Sequence, residues 1–98
     1  MIKVNIKENN NKIERITIKG HALYDDLGKD IVCASVSSIV ITTVNAIESI
    51  SKDSIKCDEK IFEINVLKDD ETVQKLLINM INLLKELSEE YPKNIKVL

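Results

Sequence analysis

Residues that form turns, disulfides and aromatic clusters are scarce in this chain of 98 residues, which contains two Gly, one Pro, two Cys, two Tyr, one Phe and no Trp. With 44% hydrophobic and 31% charged residues, so few turn formers argue against a disordered, collagen-like or linker-rich protein. The length suits one domain, which we expect to cover residues 1–98. Two cysteines in different predicted elements argue against a disulfide framework.

Charge of either sign is never concentrated along the chain. Fourteen basic and sixteen acidic residues give a net charge of -2, and no run of Lys and Arg forms the dense patch typical of nucleic-acid binding. The N-terminus alternates apolar and polar residues rather than forming a signal peptide, and we expect no window as apolar as a membrane span. We therefore expect a cytoplasmic protein with no direct nucleic-acid contact and no membrane contact.

Two β-hairpins are predicted from alternating segments. Residues 2–7 alternate apolar and polar side chains, residues 9–11 are three Asn that tolerate a tight turn, and a return strand covers 12–19. Ile13 interrupts the alternation of the return strand and indicates a bulge or a turn contact. Residues 55–66 contain two further short alternating runs, which predict the second hairpin.

Two helices and a last strand complete the expected fold. Ile31–Ile47 has no turn signal, and its length favours a buried helix despite many β-branched residues. Residues 73–91 place apolar side chains at helical spacing after the capping segment 69–72, and Pro92 ends this amphipathic helix. With a strand at 95–98, the order is ββαββαβ. We expect an α/β (α+β) domain with a mixed sheet, either a two-layer sandwich or three layers with the first helix in the middle.

The rare reactive residues cluster between Gly20 and Cys33. This segment contains the chain's only His, both Gly and one of its two Cys. If Asp30 caps the helix, Cys33 is the third helical residue and lies among unpaired backbone N–H groups, which favours the thiolate and offers donors to an oxyanion. His21, at the far end of a loop with Gly at both ends, is then a candidate base for Cys33 as nucleophile.

The residues alone leave several alternatives open. Asp30 either caps the helix or orients His21 as a third catalytic member. Ser37, one turn after Cys33, either lines the site or bonds back to a helix carbonyl. Cys57 is explained as a small buried hydrophobe on a strand. The structural alternative for His21 and Cys33 is that His21 is a surface residue, Cys33 is a buried one, and the two side chains are not in contact.

A specific pattern favours the catalytic interpretation of His21 and Cys33. It consists of Gly20-His21-Ala22, a loop, and then Gly28-x-Asp30-Ile31-Val32-Cys33-Ala34-x-Val36-Ser37. It resembles the signature of the Prp cysteine proteases, whose chains have about this length and an α/β fold. The resemblance implies catalytic roles for His21 and Cys33 and a mobile substrate-admitting loop between them. It implies supporting or substrate-binding roles for Gly20, Ala22, Gly28, Asp30 and Ser37. The family often carries Ala where this chain has Ser35, a change that the chemistry should tolerate.

The resemblance also implies a function. The expected protein is a cysteine endopeptidase that removes the N-terminal extension of a large-subunit ribosomal protein, number twenty-seven, during ribosome maturation. It is expected to be a homodimer, joined through the first helix or an edge strand, and to need no cofactor and no metal. The alternative is a non-catalytic ribosome-associated module that binds a peptide. A thiol redox role is weakened by the lack of a Cys-x-x-Cys pair, and one His with two distant Cys makes a poor metal site.

Overall fold

A computed structural model describes residues 1–20, 31–58 and 62–98 in full and residues 27–30 by their backbone alone. The elements are β1 (Ile2–Asn9), β2 (Lys12–Lys19), α1 (Leu27–Ile50), β3 (Ile55–Asp58), β4 (Glu63–Val66), α2 (Glu71–Glu90) and β5 (Ile95–Val97). This confirms the predicted order ββαββαβ and the mixed sheet.

The five strands form one sheet in the order β3-β4-β2-β1-β5. Neighbours are antiparallel except β1 and β5, which are parallel. Asn10 and Asn11 have positive φ angles of 54° and 62° at the β1–β2 turn, as a run of Asn allows. The register shifts between Lys7 and Glu8, opposite the point where Ile13 interrupts the alternation, which confirms the predicted bulge.

One face of the sheet carries the core. Register places the buried side chains of adjacent strands side by side, as with Val4 opposite Ile18 and Ile16 opposite Ile64. Both helices pack on this face, α1 next to α2, α2 over β5 and β2, and α1 over β3. The strand positions on the other face are polar. The protein is therefore a two-layer sandwich, and the three-layer alternative is wrong.

Helix α2 follows its sequence pattern closely. Its N-cap is Asp70, whose carboxylate accepts a hydrogen bond from the backbone N–H of Val73 at 3.1 Å. Its buried residues are Val73, Leu77, Met80, Ile81 and Leu84. Gln74 bonds both backbone groups of Ile13, accepting from its N–H at 2.8 Å and donating to its carbonyl at 2.9 Å. The helix thus satisfies the backbone that the β2 bulge leaves unpaired.

Helix α1 differs from its prediction at its N-terminus, since it begins at Leu27 rather than Ile31, and it ends at Ile50, just before the predicted stop at 52–54. Its segment Ile31–Ile50 is long and apolar enough by composition to cross a membrane, contrary to the expectation that no window would be. In the fold, however, this segment contributes a stripe to the core: Val32, Val36, Val40, Thr43, Val44 and Ile47. Packing against the sheet therefore explains much of its apolar composition.

Candidate active site

Cys33 is the seventh residue of α1 and lies at the edge of the buried stripe. Its neighbours Val32 and Val36 are 0% and 3% exposed, whereas Cys33 itself is half-buried. Neither it nor Cys57, which is also half-buried on β3, forms a disulfide. The interpretation of Cys57 as a fully buried hydrophobe is therefore only partly right. The buried valines hold the Cys33 thiol on a rigid element while leaving it partly open to solvent.

The early start of α1 corrects the predicted environment of this thiol. Because the helix begins at Leu27, Asp30 is its fourth residue and not its N-cap. The unpaired N–H groups of a helix belong to its first four residues, here 27–30, and the N–H of Cys33 points to the carbonyl four residues earlier. Cys33 lies about 9 Å along the axis from the helix start, beyond the first turn to which dipole effects extend. The predictions that Asp30 caps α1 and that Cys33 is its third residue are therefore wrong.

Gly20 directly follows β2 and precedes His21, the predicted base. Its φ angle is +94°, and a Cβ at this position would overlap the carbonyl oxygen of Met1. Only glycine fits both conditions without distortion, so the direction in which the chain leaves the sheet depends on Gly20.

Of the other site residues predicted in this segment, the structure describes some and not others. His21 and Ala22 lie outside the described residues, as does the side chain of Asp30. Gly28 is the second residue of α1, so the predicted loop up to Lys29 ends earlier than expected. The placement of Gly28 in the loop is accordingly wrong.

Ser37 lies one helical turn after Cys33 on the same flank of α1 and is half-buried. Within the described part of the chain, its hydroxyl donates no hydrogen bond to a helix carbonyl, whereas Thr43 donates to the carbonyl of Ile39 at 2.8 Å. The interpretation of Ser37 as back-bonded to the helix is therefore wrong. Its hydroxyl and the Cys33 thiol share one flank of α1.

A separate groove of about 580 Å³ runs between the helices and was not predicted from the sequence. It is lined by Ile31, Ala34, Ser35, Ser38 and Ile39 of α1 and by Leu83, Glu86, Leu87 and Glu90 of α2. At 100° per residue, Ser35 and Ile39 lie on the side of the buried stripe opposite Cys33. The groove is therefore distinct from the cysteine site. Its sequence signal is the apolar residues left over on α1 once one face is assigned to the core.

Metal-ligand side chains are dispersed in the described residues, where no three of the His, Cys, Asp and Glu side chains come together in a group able to hold a metal ion. The chemistry available at the site is that of a cysteine thiol on a helix flank.

Known proteins resemble this chain over nearly its whole length. The family model for cysteine protease Prp matches residues 1–96. A ribosomal processing cysteine protease Prp from Staphylococcus aureus is 31% identical over 103 residues, which cover 99% of this chain and 97% of the relative. The corresponding Mycoplasma genitalium protein is 50% identical over 40 residues, or 41% of this chain.

Solved structures agree with these matches. An S. aureus ribosomal processing protease Prp with a covalently linked product peptide has a TM-score of 0.86 and 32% identity, covering 99% of this chain and 97% of that one. The same S. aureus protease has been solved with a substrate peptide. A Streptococcus mutans protein has a TM-score of 0.86 and 28% identity, covering 99% and 91%.

The α+β fold and these matches define the protein as a cysteine protease. More particularly, the chain belongs to the cysteine protease Prp family.

Proposed function

We propose that this protein is a cytoplasmic endopeptidase that removes the N-terminal extension of a large-subunit ribosomal protein, number twenty-seven, with Cys33 as nucleophile and His21 as general base. The observation that carries the proposal is the family match over residues 1–96, within which Cys33 is a partly accessible thiol held on a rigid helix. The S. aureus relatives with a covalently linked product peptide and with a substrate peptide support it.

The proposed reaction has two steps. His21 takes the thiol proton of Cys33 while the sulfur attacks the scissile carbonyl, and the tetrahedral species collapses to a thioester as the imidazolium gives its proton to the leaving amine. Water, deprotonated by His21, then attacks the thioester and releases the new carboxylate and the Cys33 thiol. Since the Cys33 N–H points to a carbonyl of its own helix, the oxyanion must be stabilised by donors other than this group.

A basic substrate suits this enzyme. The chain carries a net charge of -2, and ribosomal proteins meet RNA through basic segments, so encounter with such a peptide is electrostatically favoured at low salt.

The test is cleavage of a peptide that spans the N-terminal extension of the cognate ribosomal protein, followed by mass spectrometry. We expect a single cut by the wild type and loss of that cut in Cys33→Ala and in His21→Ala. Cys57→Ala is the matched control, because Cys57 is the other half-buried cysteine and lies on β3. It should cleave like the wild type.

Other outcomes separate the alternatives. An intact peptide that binds the wild type with micromolar affinity supports the peptide-binding module instead. Cleavage that survives Cys33→Ala contradicts the assigned nucleophile. Cleavage that survives His21→Ala, with loss in Cys33→Ala, leaves the protease in place but removes His21 as its base.

We further propose that the enzyme is a homodimer joined through α1 and the neighbouring side of α2. Ile31 of α1 and Leu83 of α2 both line the groove between the helices and are 54% and 39% exposed. The edge strands β3 and β5 contain only four and three residues, so they offer little backbone for strand pairing. The exposed apolar residues of the groove between α1 and α2 therefore favour this groove over the edge strands as the dimer surface.

Sedimentation velocity tests the dimer. Ile31→Glu with Leu83→Glu should convert a dimer to a monomer, because both carboxylates would be buried in the interface. Ile78→Glu, on an exposed apolar residue of α2 outside the groove, is the matched control and should remain a dimer. A monomeric wild type, or a double variant that stays dimeric, contradicts the proposal.

A further inference from the structure

The exposed face of the sheet gathers positive charge, although the chain as a whole is acidic. Strand register and alternation place eleven polar residues on this face: Lys3, Asn5, Lys7, Arg15, Thr17, Lys19, Lys56, Asp58, Glu63, Asn65 and Lys96. Six of them are cationic and two are anionic, and Glu14 in the β2 bulge adds a third carboxylate beside Lys7. The expectation of no nucleic-acid contact was based on the charge pattern along the chain, whereas this patch is created by pairing strands that are distant in sequence.

Three lysines form an uninterrupted row across the neighbouring strands β5, β1 and β2. Lys96 is paired with Lys3, and Lys3 with Lys19, so the row spans about 10 Å at the usual strand spacing. All three are exposed. Like charges directly opposite each other destabilise a sheet, so the row costs folding free energy unless an anion offsets it.

Local carboxylates do not neutralise this row. Among the described residues, the ion pairs of this face involve the other end of the strands, where Lys7 lies 3.8 Å from Glu14 and Arg15 lies 3.9 Å from Glu63. No ion pair is formed by the lysine row within the described part of the chain. Its three ammonium groups are therefore available to an external anion.

The composition of the face indicates what kind of anion fits. Its eleven positions include no apolar or aromatic side chain. Protein interfaces depend on buried apolar and aromatic anchors, and unpaired bases are held by stacking on aromatic rings. A flat face of Lys, Arg, Asn and Thr offers neither, but it suits a phosphate backbone whose bases are already paired.

We propose that this face binds the phosphate backbone of double-stranded RNA, with Lys3, Lys19 and Lys96 as its principal contacts. The choice of RNA over DNA rests on the proposed function, because a ribosomal-protein substrate belongs to an assembly built on RNA. The face lies on the side of the sheet away from both helices, and Cys33 lies in the helix layer. RNA on the sheet therefore leaves the cysteine site open to a peptide.

Fluorescence anisotropy with a labelled RNA hairpin of about 20 base pairs tests the proposal, since duplex RNA is contacted over about 16 base pairs by dedicated domains. The test variant is the triple Lys3→Gln, Lys19→Gln and Lys96→Gln. The matched control is Lys52→Gln, Lys75→Gln and Lys85→Gln, which removes the same charge from exposed positions outside the sheet. Each protein is measured from 50 to 200 mM salt and is also assayed for peptide cleavage.

We expect wild-type affinity to fall more than about tenfold over this salt range, as three released counterions require. The sheet variant should lose most of its low-salt affinity, and its salt dependence (the slope of log K against log salt) should be weaker by about three units. The control triple should behave much more like the wild type. Peptide cleavage should be unchanged in both variants, which keeps this test separate from that of the protease.

Three results would overturn the proposal. Equal loss of RNA binding in the sheet variant and the control would show that net charge alone is responsible. Tighter binding of a DNA duplex than of the RNA hairpin would remove RNA as the partner. Stronger binding of polyglutamate than of RNA, lost in the sheet variant, would assign the face to an acidic protein.

Discussion

The two helices of this protein differ in what determines their first residue. Helix α2 begins directly after Asp70, whose carboxylate accepts hydrogen bonds from the Val73 N–H and from the Ser51 hydroxyl, both at 3.1 Å. Helix α1 passes through the corresponding candidate, Asp30, and begins at Leu27. An Asp before an apolar run fits a cap, but an Asp within the first turn is also favoured by the helix dipole. A capping residue in the sequence therefore locates a helix start only when its side chain bonds to the backbone N–H groups of the first turn, as that of Asp70 does.

The helices also differ in how they use apolar residues. On α2 the buried residues occupy one face, and the opposite face is largely polar. On α1 a buried stripe is flanked by Cys33 and Ser37 on one side and by the apolar groove on the other. Excess apolar residues on α1 thus serve surfaces beyond the core.

The largest expected effects come from core truncations on either helix. Leu77→Ala on α2 and Ile47→Ala on α1, both at residues with 0% exposure, should each lower the free energy of unfolding by about 2–5 kcal/mol. Urea denaturation measures this loss, which is a large part of the about 5–15 kcal/mol typical of a domain.

Exposed apolar neighbours are the controls for these truncations. Ile78→Ala on α2 and Ile41→Ala on α1, at 49% and 46% exposure, should change stability by less than about 1 kcal/mol. Similar losses at Ile41 and Ile47 would contradict this and would show that the outer side of α1 at Ile41 is covered in solution.

Gly20→Ala should have the next largest effect, since it disturbs the strand end that leads towards α1. The positive φ angle and the overlap with the Met1 carbonyl together should cost more than about 1 kcal/mol. Urea denaturation gives the stability, and peptide cleavage at a temperature where the variant is folded gives the activity. Lys19→Ala, next to it on β2, is the control and should be close to neutral.

Asp70→Ala should lower the melting temperature by about 4–8 °C, because α2 loses its cap. Asp70→Asn retains an N-cap oxygen and should lose less. Thermal unfolding by circular dichroism at pH 7 distinguishes the two, and equal losses would contradict capping as the cause.

The same carboxylate predicts a pH dependence. The Val73 N–H first, and then the Ser51 hydroxyl, hold the pKa of Asp70 below its usual value of 3.8. Its stabilising effect is therefore complete above about pH 5 and is lost as the pH falls through 3.8 and the lower folded-state pKa. Between pH 5 and pH 3 the wild type should lose more stability than Asp70→Asn, and parallel curves would contradict this assignment.

The smallest expected effect on stability is that of Asp30→Ala. Because Asp30 is not the cap of α1, the loss should be below about 1 kcal/mol, the value of a first-turn charge. A loss as large as that of Asp70→Ala would restore the capping interpretation. Slower peptide cleavage with unchanged stability would support the open alternative that Asp30 positions His21.

Local patterns in the sequence predicted much of this fold. Strand alternation, the three Asn of the first turn, the interruption at Ile13 and the amphipathic spacing of α2 each depend on neighbours within a few residues. The start of α1 was not predictable in this way, because Asp30 satisfies two local rules equally well. Because the helix start differs, the predicted position of Cys33 as the third helical residue was also wrong. The cysteine itself was identified by its sequence motif.

The sequence by itself determined the order of elements, the family and the candidate nucleophile, since each depends on periodicity or on a short motif such as Gly28 to Ser37. Only the tertiary structure decided that both helices share one face of the sheet, that Cys33 lies on a helix flank, and that Lys3, Lys19 and Lys96 stand side by side. The physical reason is that layer placement and strand register are set by burial and pairing between residues far apart in the chain.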